Sequence, residues 1–363
     1  MNLLLAIQCL LGVSFVLWAL LTVLVVVRKY GRDRREATSA KRRVLLQRLA
    51  REGTVAELAE ALRPAVHDVA AQVDVDVALV RGGPDLAAHR LARVRDAARA
   101  SGLESALVEQ LGDRDPVARG QAALLLARLD HQLGTEQIGG LLGDGDPDVR
   151  LAACRALAVL GTEQGARALI AALADRVLPP ERIVERLAAP WALNPVLHAL
   201  AYPPASVPGD PARGADRAVP FRASLARALG LAGDERAGAA LLHLLRDGNE
   251  EEQVSAARAL GEVGAHEASG ALIAALSSPS WPLRAQAASA LGALRSSEAV
   301  PALARCLGDQ AWWVRANAAE ALRATGPPGL GALRAALHSD DRYARHRAGE
   351  ALALEGLPVG AAA

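Results

Sequence analysis

The chain has 363 residues, 52% of them apolar but only 3% aromatic, with a formal net charge of +1. That length fits two or three ordinary domains or one repeat array, and a core built on Ala and Leu with so few rings implies closely packed helices. Residues 28–43 carry eight basic and two acidic side chains, which leaves 33 basic against 38 acidic elsewhere; a mildly acidic body excludes nucleic acid as the main partner, because phosphate binding needs net positive surface.

The first predicted element is apolar. Leu3 to Val27 is 25 residues without a charge, longer than the roughly 30 Å hydrocarbon core requires. It lacks a positive leading region and a small-x-small cleavage site, so the expectation is an uncleaved anchor rather than a signal peptide. Its C-terminal flank opens Arg28-Lys29-Tyr30-Gly31-Arg32 while its N-terminal flank has no Lys or Arg. The positive-inside rule then predicts a single-pass bacterial inner (plasma) membrane protein, N-terminus outside and the remainder cytoplasmic. Arg28, Lys29, Arg32, Arg34 and Arg35 are candidates for contact with anionic lipid headgroups.

Residues 28–84 follow as a basic juxtamembrane and helical stalk. Val44, Leu45, Leu49, Leu58 and Leu62 suggest an amphipathic face. The alternation Val73-Asp74-Val75-Asp76-Val77 is briefly strand-like.

From residue 114 onward the chain repeats. Asp115-Pro116-Val117-Ala118-Arg119 and Asp146-Pro147-Asp148-Val149-Arg150 are 31 residues apart, as are Trp281-Pro282-Leu283-Arg284 and Trp312-Trp313-Val314-Arg315, with Arg345 following 30 later. Behind each Arg runs an Ala/Leu helix such as Ala287-Ala288-Ser289-Ala290-Leu291. A second helix type alternates with it, such as Leu272-Ile273-Ala274-Ala275-Leu276. Gly161, Gly264 and Gly326 fall where a helix C-terminus needs a left-handed residue. A 31-residue unit of helix, turn, helix and short loop predicts a solenoid.

The Asp-Pro-x-Val-Arg-x-x-Ala-Ala-x-Ala-Leu pattern resembles HEAT repeats of the phycobilisome-lyase (PBS lyase) type, and the chain looks like a membrane-anchored bacterial member. The resemblance covers roughly residues 85–356. It implies an all-α fold, a right-handed α-solenoid of HEAT-like helical hairpins, here preceded by one transmembrane helix. It also implies a structural ladder of turn Asp and following Arg, carried onto Asp115, Asp146, Arg119, Arg150, Arg284, Arg315 and Arg345. The expected organisation is 1–27 anchor, 28–84 stalk, 85–356 solenoid and 357–363 tail. A Pro/Gly-rich insertion about 202–218, opening at Tyr202, interrupts the solenoid.

Three surfaces stand out as candidate protein-binding sites. Trp281, Trp312, Trp313 and Tyr343 all fall at the start of the second helix of consecutive repeats, and Trp and Tyr dominate interface hot spots. Tyr202 heads the insertion. A polar stripe five residues after the Arg position, Arg155, Arg227, Arg258, Ser289, Glu320 and Glu350, grades from basic to acidic and is placed to steer a partner of opposite polarity. By resemblance this helix lines the concave side.

Catalytic constellations are missing: no phosphate loop, HExxH, paired CxxC or G-x-S-x-G. The three cysteines, Cys9, Cys154 and Cys306, lack ligand spacing and are expected as buried thiols. No cofactor or metal is expected. The sequence therefore reads as a membrane-tethered cytoplasmic scaffold or adaptor that binds a protein. By resemblance, the partner class is a glycosyltransferase or other membrane or envelope-biosynthesis enzyme. The competing reading is a lyase or hydroxylase of the same repeat type, although a di-iron site of His-Glu pairs has only His266-Glu267 to draw on.

Overall fold

In the computed structural model the described residues are 36–81, 88–129, 134–204 and 221–354, together with Lys29. They contain no strand and divide into two compact units, residues 1–134 and 135–363.

The first unit contains α1 (36–52), α2 (Val55–Leu62), α3 (Val69–Arg81), α4 (Ala88–Ala100), α5 (Leu103–Gln110) and α6 (Pro116–Arg128). Helix α2 packs on α4, and α3 and α5 both pack on α6. The strand-like alternation at 73–77 lies inside α3, and charge explains why. Asp74 is buried; it accepts from Arg43 Nε at 2.7 Å, from Arg42 Nη1 at 3.2 Å and from the Ser39 hydroxyl. Asp76 instead pairs with Arg128 of α6. A strand would send both carboxylates to one face. A helix separates them by roughly 200°, which serves two partners on two sides. The same ion cluster corrects the expected face of α1. Once Ser39, Arg42 and Arg43 turn toward Asp74, Leu46 lies one turn on and is buried, while Val44 and Leu45 are exposed.

The second unit runs through α7 (Thr135–Gly140), α8 (Pro147–Leu160), α9 (Glu163–Ala174), α10 (Pro180–Leu187) and α11 (Leu193–Ala201), then α12 (Phe221–Ala232), α13 (Gly238–Asp247) and α14 (Glu250–Glu262). It closes with α15 (Ser269–Ala275), α16 (Trp281–Ala293), α17 (Val300–Cys306), α18 (Trp312–Ala324), α19 (Pro327–Ala336) and α20 (Arg342–Leu354). From α8 onward the even-numbered helices pack each on the next, and the odd-numbered ones pack against them as a second layer. The core between the layers is Ala and Leu, with Leu157, Leu229, Leu260, Leu291 and Leu322 all buried at equivalent positions.

Small residues set how closely the inner layer packs. A Cβ added at Gly261 would lie 2.8 Å from Ala290 Cα, and one at Gly292 would lie 2.8 Å from Ala321 Cα. Gly230 meets Ala259 Cα at 3.0 Å in the same register. These glycines recur every 31 residues and let neighbouring backbones touch.

The turns repeat as well. Gly233, Gly264 and Gly326 have φ of 66°, 76° and 72°, and Arg295 takes the equivalent position at 49°. After it, Ser296 N–H donates to Leu291 C=O at 3.1 Å, as Ala265 N–H does to Leu260 C=O at 3.0 Å, the long-range bond of a left-handed helix cap.

The expected membrane placement is corrected. Among the described residues no helix is long and apolar enough to cross a membrane. The longest described helical run, 36–52, carries Lys41, Arg42, Arg43, Arg48 and Arg51, whereas a span needs about 20 predominantly apolar residues. Residues 1–27, Arg28, Arg32, Arg34 and Arg35 lie outside the described residues, and Lys29 is exposed. The single-pass localisation is withdrawn.

Candidate protein-binding surface

Helices α8, α16, α18 and α20 each begin at a tight turn, and one arginine recurs beneath that turn. Arg150 Nη1 donates to the carbonyls of Asp144 and Gly145 at 2.8 and 3.2 Å. Arg284 does the same to Ser278 and Pro279 at 2.9 and 3.1 Å, and Arg315 to Asp309 and Gln310 at 2.7 and 2.9 Å. Arg345 reaches Ser339 at 2.6 Å, and in the first unit Arg119 reaches Asp113 at 2.8 Å. The guanidinium thus satisfies carbonyls that the loop leaves open. The turn aspartates are helix caps: Asp115 accepts from Val117 N–H at 2.9 Å, Asp146 from Asp148 N–H at 2.8 Å. This refines the expected Asp–Arg ladder: arginine holds backbone, aspartate holds the helix start.

Where an arginine does reach forward, the partner is the next repeat. Arg284 Nε and Nη2 meet the two Asp309 oxygens at 2.8 and 2.9 Å. Burial works against ionisation of Asp309. The Arg284 bonds, the Ala311 N–H and the nearby charges of Arg284 and Arg315 outweigh it and hold the carboxyl below its ordinary range.

This turn mechanism aims the aromatics outward. They sit in the first two positions of α16, α18 and α20, ahead of the buried Leu283, Val314 and Ala344, which turn to the core. Trp281 is 48% exposed, Trp312 49%, Trp313 58% and Tyr343 43%. Trp312 and Trp313 stack edge-on with centroids 4.7 Å apart. Arg347 lies over Trp312 at 5.1 Å, and Arg315 and Arg342 both lie over Tyr343 at 4.6 Å. The four rings thus stand exposed at equivalent helix starts of consecutive repeats, with arginines laid against Trp312 and Tyr343.

A model of HEAT repeats matches residues 104–193 and 270–353, and one of the PBS lyase HEAT-like repeat matches 221–247. The chain carries HEAT repeats. No curated protein matches it. Among solved structures it is similar to an engineered protein at 20% identity, covering 85% of this chain and 98% of that one, TM-score 0.35. It is also similar to the karyopherin Kap121p bound to Pho4p, at 15% identity, covering 87% of this chain and 41% of that one, TM-score 0.46. Kap121p bound to the SUMO protease Ulp1p gives 14%, 87%, 41% and 0.45 respectively. The chain thus spans about two-fifths of the karyopherin chains it matches.

The polar stripe runs along the inner HEAT helices. Arg155, Arg258, Ser289, Glu320 and Glu350 are exposed, and Arg227 is half-buried. Its acidic end is partly satisfied within the array, since Glu320 pairs with Arg323 at 2.5 Å and Glu350 with Arg347 at 2.8 Å. Tyr202 is exposed and tilts against the His198 ring, with centroids 5.2 Å apart; residues 205–220 of the insertion lie outside the described residues.

Cys154 and Cys306 are buried; burial pushes each thiol up to about 11. Cys9 lies outside the described residues. Among the described residues no group of three or more His, Cys, Asp or Glu side chains is placed to hold a metal ion. Sequence reasoning missed the arginines on the rings. Arg342 and Arg347 are off the 31-residue pattern; Arg342 precedes Tyr343 on the same helix, and Arg347 reaches Trp312 from the adjacent one.

Proposed function

We propose that this HEAT array is a scaffold that binds a protein partner, and that the edge formed by Trp281, Trp312, Trp313 and Tyr343 is the contact surface. One observation carries the reading: among the described residues, four aromatics at equivalent helix starts of consecutive repeats are each 43% to 58% exposed. Rings that merely filled gaps between Ala-rich helices would be covered by their own repeats. Trp and Tyr at such an edge supply large contact area at low entropic cost, and hot-spot truncations cost about 2–4 kcal/mol.

The test is crosslinking and co-purification of the intact protein, repeated with Trp312→Ala and Trp313→Ala together. The expected outcome is loss of the crosslinked species by 30-fold or more, on the order of 2 kcal/mol, with helical content unchanged by circular dichroism. Full retention of the complex in the double variant overturns the assignment of this edge. The competing lyase or hydroxylase reading keeps its own measurement: stoichiometric iron in the purified protein replaces the scaffold with an enzyme.

A further inference from the structure

We infer that the occupant of the aromatic edge is an extended acidic segment of another protein, with its carboxylates seated on Arg315 and Arg342. This rests on the reading of the edge as a protein-binding surface and specifies the chemistry that surface recognises.

The argument starts from what the repeat does with its arginine. Arg284 grips Asp309 of the next repeat with both arms of its fork. Arg315 occupies the equivalent position one repeat on, and no carboxylate pairs with it among the described residues. It lies over the Tyr343 ring instead. Arg342, from the adjacent helix, lies over the same ring at the same 4.6 Å and donates to the Tyr343 hydroxyl at 2.6 Å. The two guanidinium carbons are therefore within about 9 Å of each other, since each is 4.6 Å from one ring centroid.

Three of the nearby carboxylates have hydrogen-bonded partners of their own, while Asp340 is exposed, and Asp341 and Asp309 act on Arg342 and Arg315 through space. Asp309 is held by Arg284, Asp341 caps the N–H groups of Tyr343 and Ala344 at 2.7 and 3.2 Å, and Glu350 pairs with Arg347. Two guanidiniums, those of Arg315 and Arg342, lie on one half-exposed ring with no salt bridge among the described residues, and they make a positive patch on a body that is acidic overall. Arg315 uses Nη1 on the turn carbonyls and Arg342 uses Nη2 on the Tyr343 hydroxyl, and the remaining N–H groups of each planar guanidinium suit binding of a carboxylate. Trp281, Trp312 and Trp313 extend the patch with apolar contact area. Inner helices packed about 8–10 Å apart place the three rows over roughly 16–20 Å, which about six residues of extended chain cover at 3.3 Å each.

The experiment is selection of random 12-residue peptides displayed on phage against the full-length protein, run in parallel on three variants. These are Trp312→Ala with Trp313→Ala, Arg315→Gln with Arg342→Gln, and Arg342→Gln alone. Arg342 makes no contact with the turn carbonyls, so the last variant keeps the fold intact even if loss of Arg315 does not. The expected result is enrichment of peptides rich in Asp and Glu around an apolar residue. Affinity for a synthetic copy should fall about tenfold in Arg342→Gln and with added salt, and a Glu→Gln copy of the peptide should bind wild type and Arg342→Gln alike. Neutral or basic enriched peptides that depend on Trp312 and Trp313 overturn the acidic occupant and leave the protein-binding edge standing. Enriched peptides indifferent to both tryptophans, or no enrichment at all, overturn the edge itself.

Discussion

Arg295 shows how a single residue departs from the rule of its repeat. Its φ of 49° puts an L side chain where Gly233, Gly264 and Gly326 stand in the neighbouring turns. A non-glycine residue in the left-handed region costs about 1 kcal/mol. Arg295 is exposed, so its side chain has little packing to offset this. Arg295→Gly is expected to raise stability by about 0.5–1 kcal/mol, read as a higher urea midpoint with an unchanged slope. No change, or a loss, would mean the arginine makes a compensating contact. The left-handed turns were legible at Gly161, Gly264 and Gly326 because glycine marks such positions in the sequence. At Arg295 nothing in the residue type marks the conformation; only its distance of 31 from Gly264 does.

At the scale of elements, the link between α16 and the turn before α18 is the paired Arg284 and Asp309, both largely shielded from solvent. Because Asp309 titrates below its ordinary value in the folded state, the unfolded chain binds more protons wherever the two differ. The pair therefore contributes its full stability above about pH 4, near the ordinary aspartate value, and loses it as pH falls through the depressed folded value. Asp309→Asn is expected to destabilise by about 1–3 kcal/mol at pH 7, and the gap between variant and wild type should shrink as pH falls below about 4 in urea titrations across the range. A gap that stays constant with pH would show that the carboxylate acts through packing alone. The turn aspartates and arginines were visible in the sequence because they recur every 31 residues; their bonding was not. Spacing reports that residues are equivalent, and an arginine at a given position reads the same whether it meets a carboxylate, two carbonyls or a ring. The same gap explains Val73 to Val77, where alternation suggested a strand and the partners of Asp74 and Asp76 on two sides required a helix.

Across the whole molecule, stability in a repeat array is a sum of unit terms and nearest-neighbour interfaces. In the second unit those interfaces depend on how closely the inner helices approach, and therefore on Gly230, Gly261 and Gly292. The repeat as a unit was plain from composition and period; the glycines escaped notice because one Gly in an Ala-rich helix looks like a tolerated fault. Their role emerges only when a neighbouring backbone lies 2.8 Å from the missing Cβ. Gly292→Val places three carbons against Ala321, whose Cα and Cβ are fixed by the buried core of α18. Overpacking of this kind costs typically 1–3 kcal/mol, and here it falls on one interface rather than on the array as a whole. The hairpin of α17 and α18 and that of α19 and α20 should then separate in stability from the repeats before them. Denaturant unfolding of Gly292→Val, followed by tryptophan fluorescence and by far-ultraviolet circular dichroism, should give two non-coincident transitions, with an early fluorescence phase from Trp312 and Trp313 in the separated hairpins and a later one from Trp191 and Trp281, which precede the weakened interface. Coincident transitions with a uniformly lowered midpoint would show that the array unfolds as one cooperative block despite the weakened interface. In that case, coupling between inner helices extends beyond nearest neighbours, and a ligand on the aromatic edge would stabilise the whole second unit rather than its last two repeats.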